Sequence, residues 1–261
     1  MSTAALTAPM PVDTAGVHAR PGLGRLVAVE LRKAVDTRAG FWMQVAIVAL
    51  AVVVVVARLA TGEAADHTFA AVLDVGLMPA AVLLPVAGIL LVTSEWSQRT
   101  GMVTFALVPV RSRVVAAKLV ASVMLAVALL AVSVGIAAAG VLVASPGVDG
   151  AWDGVASLVG QSAVYLVGGM LTGVAFGMVV LASAPAIVAL FALPIAWTAV
   201  ATLSFFADAA PWLDTRVALG PLTERVVDGT EWAHAGTSLA VWMLLPLLAG
   251  LWRITRREVS A

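Results

Sequence analysis

Six apolar runs set the hydrophobic pattern of this chain: residues 41–60, 75–93, 119–143, 157–182, 185–207 and 236–252. A helix that crosses a bilayer needs about 20 apolar residues, with a range of about 17–25. The six runs meet or approach that length. They predict an all-α polytopic membrane protein with six transmembrane helices. Charges mark the ends, because an Asp or Arg at a helix centre costs about 2.5–3.5 kcal/mol. Arg58 and Asp74 therefore belong near a surface, flanking the short loop TGEAADHT. Between runs four and five stand only Ala182, Ser183, Ala184 and Pro185. Pro185 suits the first turn of a new helix. The other reading of this join is a single broken or re-entrant element.

Two further segments carry a helical pattern without the length to span. In residues 21–38, Leu23, Leu26, Val27, Leu31, Ala34 and Val35 recur at helical spacing, with Arg25, Arg32 and Asp36 on the opposite side. This predicts a helix lying in the membrane interface, with Arg32, Lys33 and Arg38 near lipid phosphates. Glu30 breaks the pattern by projecting within the apolar arc. It either pairs with Lys33 three positions on or faces a protein partner. The loop 95–118 (EWSQRTGMVTFALVPVRSRVVAAK) holds the second segment. A short helix is expected from about Thr100 to Leu107, with Met102, Phe105 and Ala106 on one face. Pro109 ends it, because proline cannot donate the next backbone hydrogen bond. Arg111, Arg113 and Lys118 then restart the chain at the membrane surface.

Composition agrees with the pattern. Hydrophobic residues make up 62% and charged residues 11%, with a mean hydropathy of +1.05. A soluble domain carries roughly 25% charged residues, so lipid must solvate most of this surface. Residues 1–20 are small and polar, with Pro9 and Pro11, and no basic cluster precedes an apolar core. They read as a disordered tail rather than a signal peptide. The domain division is then a tail over 1–20, an interfacial helix over 21–38 and a six-span domain over 39–261.

Charge gives direction. With six spans and both termini in the cytoplasm, twelve of the fifteen basic residues fall on the cytoplasmic side, and only Arg58, Arg216 and Arg225 fall outside. That is the asymmetry the positive-inside rule describes. Of the fifteen acids, ten fall on the outer side.

Glu95, then Arg99-Thr100-Gly101, then Pro109-Val110-Arg111, then Lys118 resembles the cytoplasmic loop of the ABC-2 family of ABC-transporter permeases. The stretch ELRKAVDTR resembles the family's N-terminal elbow helix. Six spans and a hydrophilic segment before the last also match. Thr100-Gly101 replaces the commoner Gly-Thr order of the turn. The resemblance runs from about residue 21 to the end and implies a permease subunit of an exporter in a bacterial cytoplasmic membrane. It implies a coupling helix, with Met102 and Phe105 as contacts, docking on a separate ATP-binding subunit that holds ATP and Mg. It also implies a second permease copy or paralogue. Glu95 and Arg99, one helical turn apart, are candidates for an ion pair at the base of span two.

Other chemistry finds little footing. The only lysines are Lys33 and Lys118, and neither sits in a G-x-x-x-x-G-K-[ST] loop. No ATPase site is expected in this chain. There are no cysteines, and His18, His67 and His234 are scattered without ligand spacing. No metal site, cofactor or catalytic residue is expected, and nothing points to nucleic acid. No acid, His or Lys falls in the mid-membrane zone, where a proton-coupled carrier usually keeps one. A secondary carrier or a lipid-active membrane enzyme is the alternative to the permease.

Packing signals complete the reading. Gly169, Gly173 and Gly177 line one face of span four, a spacing that lets helix backbones approach closely. The contact is either within the chain or between two permeases. Pro79, Pro85, Pro194 and Pro246 each free a backbone carbonyl and favour a bend. Residues 208–235 form the longest external segment and are partly amphipathic; the resemblance implies a short re-entrant or surface helical element that caps the exit, and the other reading is a simple surface loop.

Overall fold

A computed structural model describes residues 22–61, 63, 66–97 and 111–256. Among these the regular structure is entirely helical. Six helices are long and apolar enough to cross a membrane, so the chain is a multi-pass, all-α membrane protein.

Helix α1 spans Leu23–Asp36, and α2 spans Arg38–Ala60. Thr37 separates them with extended backbone, and its hydroxyl accepts from the Gly40 N–H at 3.1 Å. The bend leaves no room beside Gly40, where an added Cβ would sit 2.1 Å from the Ala34 carbonyl oxygen. Only glycine fits there.

The remaining long helices are α3 (Phe69–Ser97), α4 (Arg111–Ala144), α5 (Val155–Val180) and α6 (Ser183–Ala201). The last span starts as α10 (Gly229–Leu239), passes through a π-helical turn at Ala240–Leu244 and continues as α11 (Leu245–Arg256). Before it lie a 3₁₀ turn at Ser204–Ala209 and three short helices, α7 (Ala210–Leu213), α8 (Thr215–Leu219) and α9 (Pro221–Glu224).

Contacts give the topology. Phe69 N–H bonds to the Ala151 carbonyl at one end of α3, and Val92 packs on Gly177 near the other. Helices α3 and α5 therefore run parallel. Helix α4 runs against them, with Gly140 beside Val72 and Lys118 beside Leu91. Successive spans alternate in direction. One face of the bundle gathers α1, the end of α3, the start of α4, the turn before α6 and the end of α11. The other face gathers the 61–68 and 145–154 connections and the short helices α7–α9.

Burial separates a centre from a rim. In α3 and α5 about half of the apolar stretch is buried (56% and 50%), against 17% in α2 and 11% in α6. The outer faces of α2 and α6 show Val53, Val56, Val188 and Ile195. Lipid covers such surfaces at no cost, since acyl chains are as apolar as these side chains.

Several boundaries differ from the sequence reading, among them the start of α3 at Phe69 rather than near Val75. Helix α4 begins at Arg111 rather than near Leu119, so Arg111, Arg113 and Lys118 stand in its first turns rather than in the loop that leads into it. Helix α6 ends at Ala201, short of 207. The last helix begins at Gly229, not 236, because Asp228 and Glu231 form a capping box. That Asp-x-x-Glu signature is visible in the sequence and marks the true start. The join between spans four and five is a tight turn. Leu181 takes a left-handed conformation (φ 60), Ala182 is extended, and Pro185 falls in the first turn of α6.

Candidate functional site

Among the described residues, buried charged and amide side chains form two clusters, one at each end of the bundle. At the α1 face, Glu30 is buried despite its charge. One carboxylate oxygen accepts from Lys33 Nζ at 2.9 Å and the other from Lys118 Nζ at 2.7 Å. Lys118 is itself buried and also donates to the Leu91 carbonyl at 3.1 Å. The apolar surroundings explain why these groups stay together: an unpaired charge there would carry the full desolvation penalty. Small residues make the approach possible. Val27, Leu26 and Leu31 of α1 pack on Ala117 and Ala121 of α4. One ion-pair node thus fastens α1, α3 and α4 near the end of α3 and the start of α4.

The same face holds two further ties. Thr93 Oγ1 lies 2.7 Å from Ser183 Oγ, joining α3 to the start of α6. Arg253 donates to the Val179 carbonyl, joining the last helix to the end of α5.

The residues expected to couple to an ATPase take these places. Glu95 lies in the last turn of α3, and Arg111 opens α4. Arg99, Thr100, Gly101, Met102, Phe105 and Pro109 lie outside the described residues. In α1, Arg32 is exposed, and Arg38 is exposed at the start of α2. Glu30 takes both a neighbour, Lys33, and a distant partner within the chain, Lys118.

Gly169, Gly173 and Gly177 face α3. A Cβ at Gly173 would lie 1.9 Å from the Pro85 carbonyl oxygen, and one at Gly177 would lie 3.2 Å from that of Ile89. At Gly169 the nearest atom is the Pro85 ring at 3.6 Å. These glycines bring the two central helices together within the chain.

At the opposite face, Gln161 of α5 is buried and makes three hydrogen bonds to the segment before the last helix. Its amide donates to the carbonyls of Leu222 (3.2 Å) and Arg225 (2.7 Å), and its oxygen accepts from Val227 N–H (3.1 Å). Sequence reasoning missed it, although a lone Gln in an apolar span is the signal to look for. Nearby, Thr223 donates to Asp74 at 2.7 Å. Arg225 pairs with Glu231, with a second contact at 2.9 Å. That hydrogen bond raises the guanidinium pKa above its ordinary value.

These contacts roof a cavity of about 800 Å³ between α3, α5, α6 and the short helices. Apolar side chains, among them Met78, Pro85, Phe176 and Leu190, make up much of its wall. The π-helical turn places Trp242 on the wall, and the indole donates to the Leu213 carbonyl at 2.7 Å. The turn sits where Pro246, lacking an N–H, leaves the Trp242 carbonyl without its α-helical donor. Inserted π turns often mark functional sites.

Among the described residues no group of three or more His, Cys, Asp or Glu could hold a metal ion. No protein-family model matches the chain, and no curated protein matches it in sequence.

Proposed function

We propose that this chain is the permease subunit of an ATP-driven exporter of the ABC-2 type. In this reading it lies in a bacterial cytoplasmic membrane with both termini inside. A second permease copy or paralogue completes the pathway, and two separate subunits bind ATP and Mg and drive transport. The substrate is a drug, peptide, lipid or other amphipathic molecule.

The observation that carries the reading is the Glu30–Lys118 pair with its bond to Leu91. A push delivered at the 98–110 segment would reach α3 and α4 at their ends. The buried node would pass it to α1, so that the three helices move as one body. That is what a coupling loop requires, and the loop residues from Glu95 to Lys118 are those that resemble the family. In this proposal Met102 and Phe105 contact the ATPase, Glu95 and Arg99 brace the loop, and α1 is the elbow helix.

A secondary carrier is the second reading. One observation favours it: Asp74 lies inside α3, about 7.5 Å from the helix start at 1.5 Å per residue, and carriers keep titratable groups within their spans.

Co-expression with an ATP-binding subunit, sought among neighbouring reading frames by its Walker motif, decides between them. The permease reading expects a stable complex, retained through purification and lost with Phe105→Asp. It also expects substrate uptake into inverted vesicles that needs ATP. Uptake driven by a proton gradient alone, with no bound ATPase, would overturn it in favour of the carrier.

A further inference from the structure

Asp74 lies inside α3, five residues from its start at Phe69, on the half of the bundle opposite α1. Its partner is neutral: the Thr223 hydroxyl at 2.7 Å. Among the described residues no cation lies within ion-pair distance of it. This contrasts with Glu30, which is buried at the other end and has two lysines, whereas Asp74 is half-buried. A carboxylate in apolar surroundings is costly unless a positive charge meets it, and an ionisable residue within a span marks a functional site. Asp74 also stands on the wall of the 800 Å³ cavity.

The rest of the cavity narrows the choice of ligand. Pockets of about 300–1,000 Å³ take drug-sized molecules. The charged groups on the wall are Asp74, Asp214, Glu224 and Arg216, which leaves an excess of negative charge. Asp214 caps its own short helix by accepting from the Arg216 N–H at 2.9 Å. Below the acids the wall is aliphatic and aromatic. The chemistry therefore asks for a bulky apolar body carrying one positive charge.

We propose that this cavity binds a lipophilic monocation, with Asp74 as its counter-charge and Trp242 and Phe176 against its apolar body. The proposal deepens the exporter reading by naming a substrate class, but binding needs this chain alone and no ATPase.

The test uses the full chain, purified without partners in nanodiscs of zwitterionic lipid. Tetraphenylphosphonium is the probe, and tetraphenylborate, of the same shape and opposite charge, is the control. The cation binds saturably to wild type above the level in empty nanodiscs, the anion does not, and Asp74→Asn weakens cation binding at least tenfold. Asn keeps an oxygen for Thr223, so the roof contact survives. Should that variant fail to fold, wild type still answers: saturating cation slows carbodiimide modification of Asp74 several-fold, read by peptide mass. Equal binding of cation and anion, unchanged affinity in Asp74→Asn, or unprotected Asp74 overturns the proposal. Failure of the exporter reading shows separately, as the absence of a bound ATPase with cation binding intact.

Discussion

Glu30 and Lys118, 88 positions apart in sequence, meet at 2.7 Å in a site that excludes water from both. The pair joins a short amphipathic helix to the first turns of a spanning one. Removing one member leaves the other charged and buried, a change that typically costs about 3–5 kcal/mol. Lys33 still neutralises Glu30 when Lys118 is lost, so Lys118→Met is expected at the low end, about 3 kcal/mol. The double variant Glu30→Gln/Lys118→Met should recover most of the loss. Thermal melts of the four species in one detergent check this. A double variant as unstable as the two single losses added together would show that the pair acts independently. The exposed Arg225–Glu231 pair is a useful contrast, since exposed ion pairs contribute little. Arg225→Ala should leave the melting temperature unchanged.

Gly173 sets how closely α3 and α5 approach. Its Cβ position is occupied by a backbone carbonyl, that of Pro85, rather than by a side chain able to move aside. Gly173→Ala must force the central helices apart, and overpacking of this kind costs about 1–3 kcal/mol. Gly160→Ala, in the same helix with open space at its Cβ, should be neutral or slightly stabilising. Melting temperatures of the two variants should therefore move in different directions. Equal responses would mean that the helices are not in the contact described.

Gln161 holds the roof of the cavity. Gln161→Leu leaves the Val227 N–H and two carbonyls without their partner, and each unsatisfied buried group costs about 1–3 kcal/mol. The segment from Leu222 to Val227 should loosen while the spans persist. Hydrogen exchange would show this as faster exchange confined to residues 222–228. Exchange unchanged there would mean that the clamp is redundant.

The alternation of spans predicts labelling. With no native cysteines, single cysteines can be placed at exposed Asp36 and Asp149. An impermeant maleimide should reach position 149 from outside whole cells, and position 36 only after the membrane is opened. Labelling of both from one side would contradict the topology. Labelling of 36 alone from outside would keep the topology and reverse its orientation.

The one-dimensional record determined the class of this protein. Length and apolarity of the runs are enough to predict six spanning helices, because lipid demands that every backbone group be bonded within its own segment. The tight turn before Pro185 was legible for the same local reason. So was the start of the last helix, had the Asp228–Glu231 cap been read. What the record did not hold was which face of each helix meets protein. In water that face is betrayed by its hydrophobic stripe. In a membrane, lipid and protein interior are equally apolar, and the stripe fades. Hence the partnership of Glu30 with Lys118, the clamp of Gln161 and the cavity beside Asp74 were decided by tertiary packing alone. Each joins groups far apart along the chain whose meeting depends on how neighbouring helices are turned about their axes.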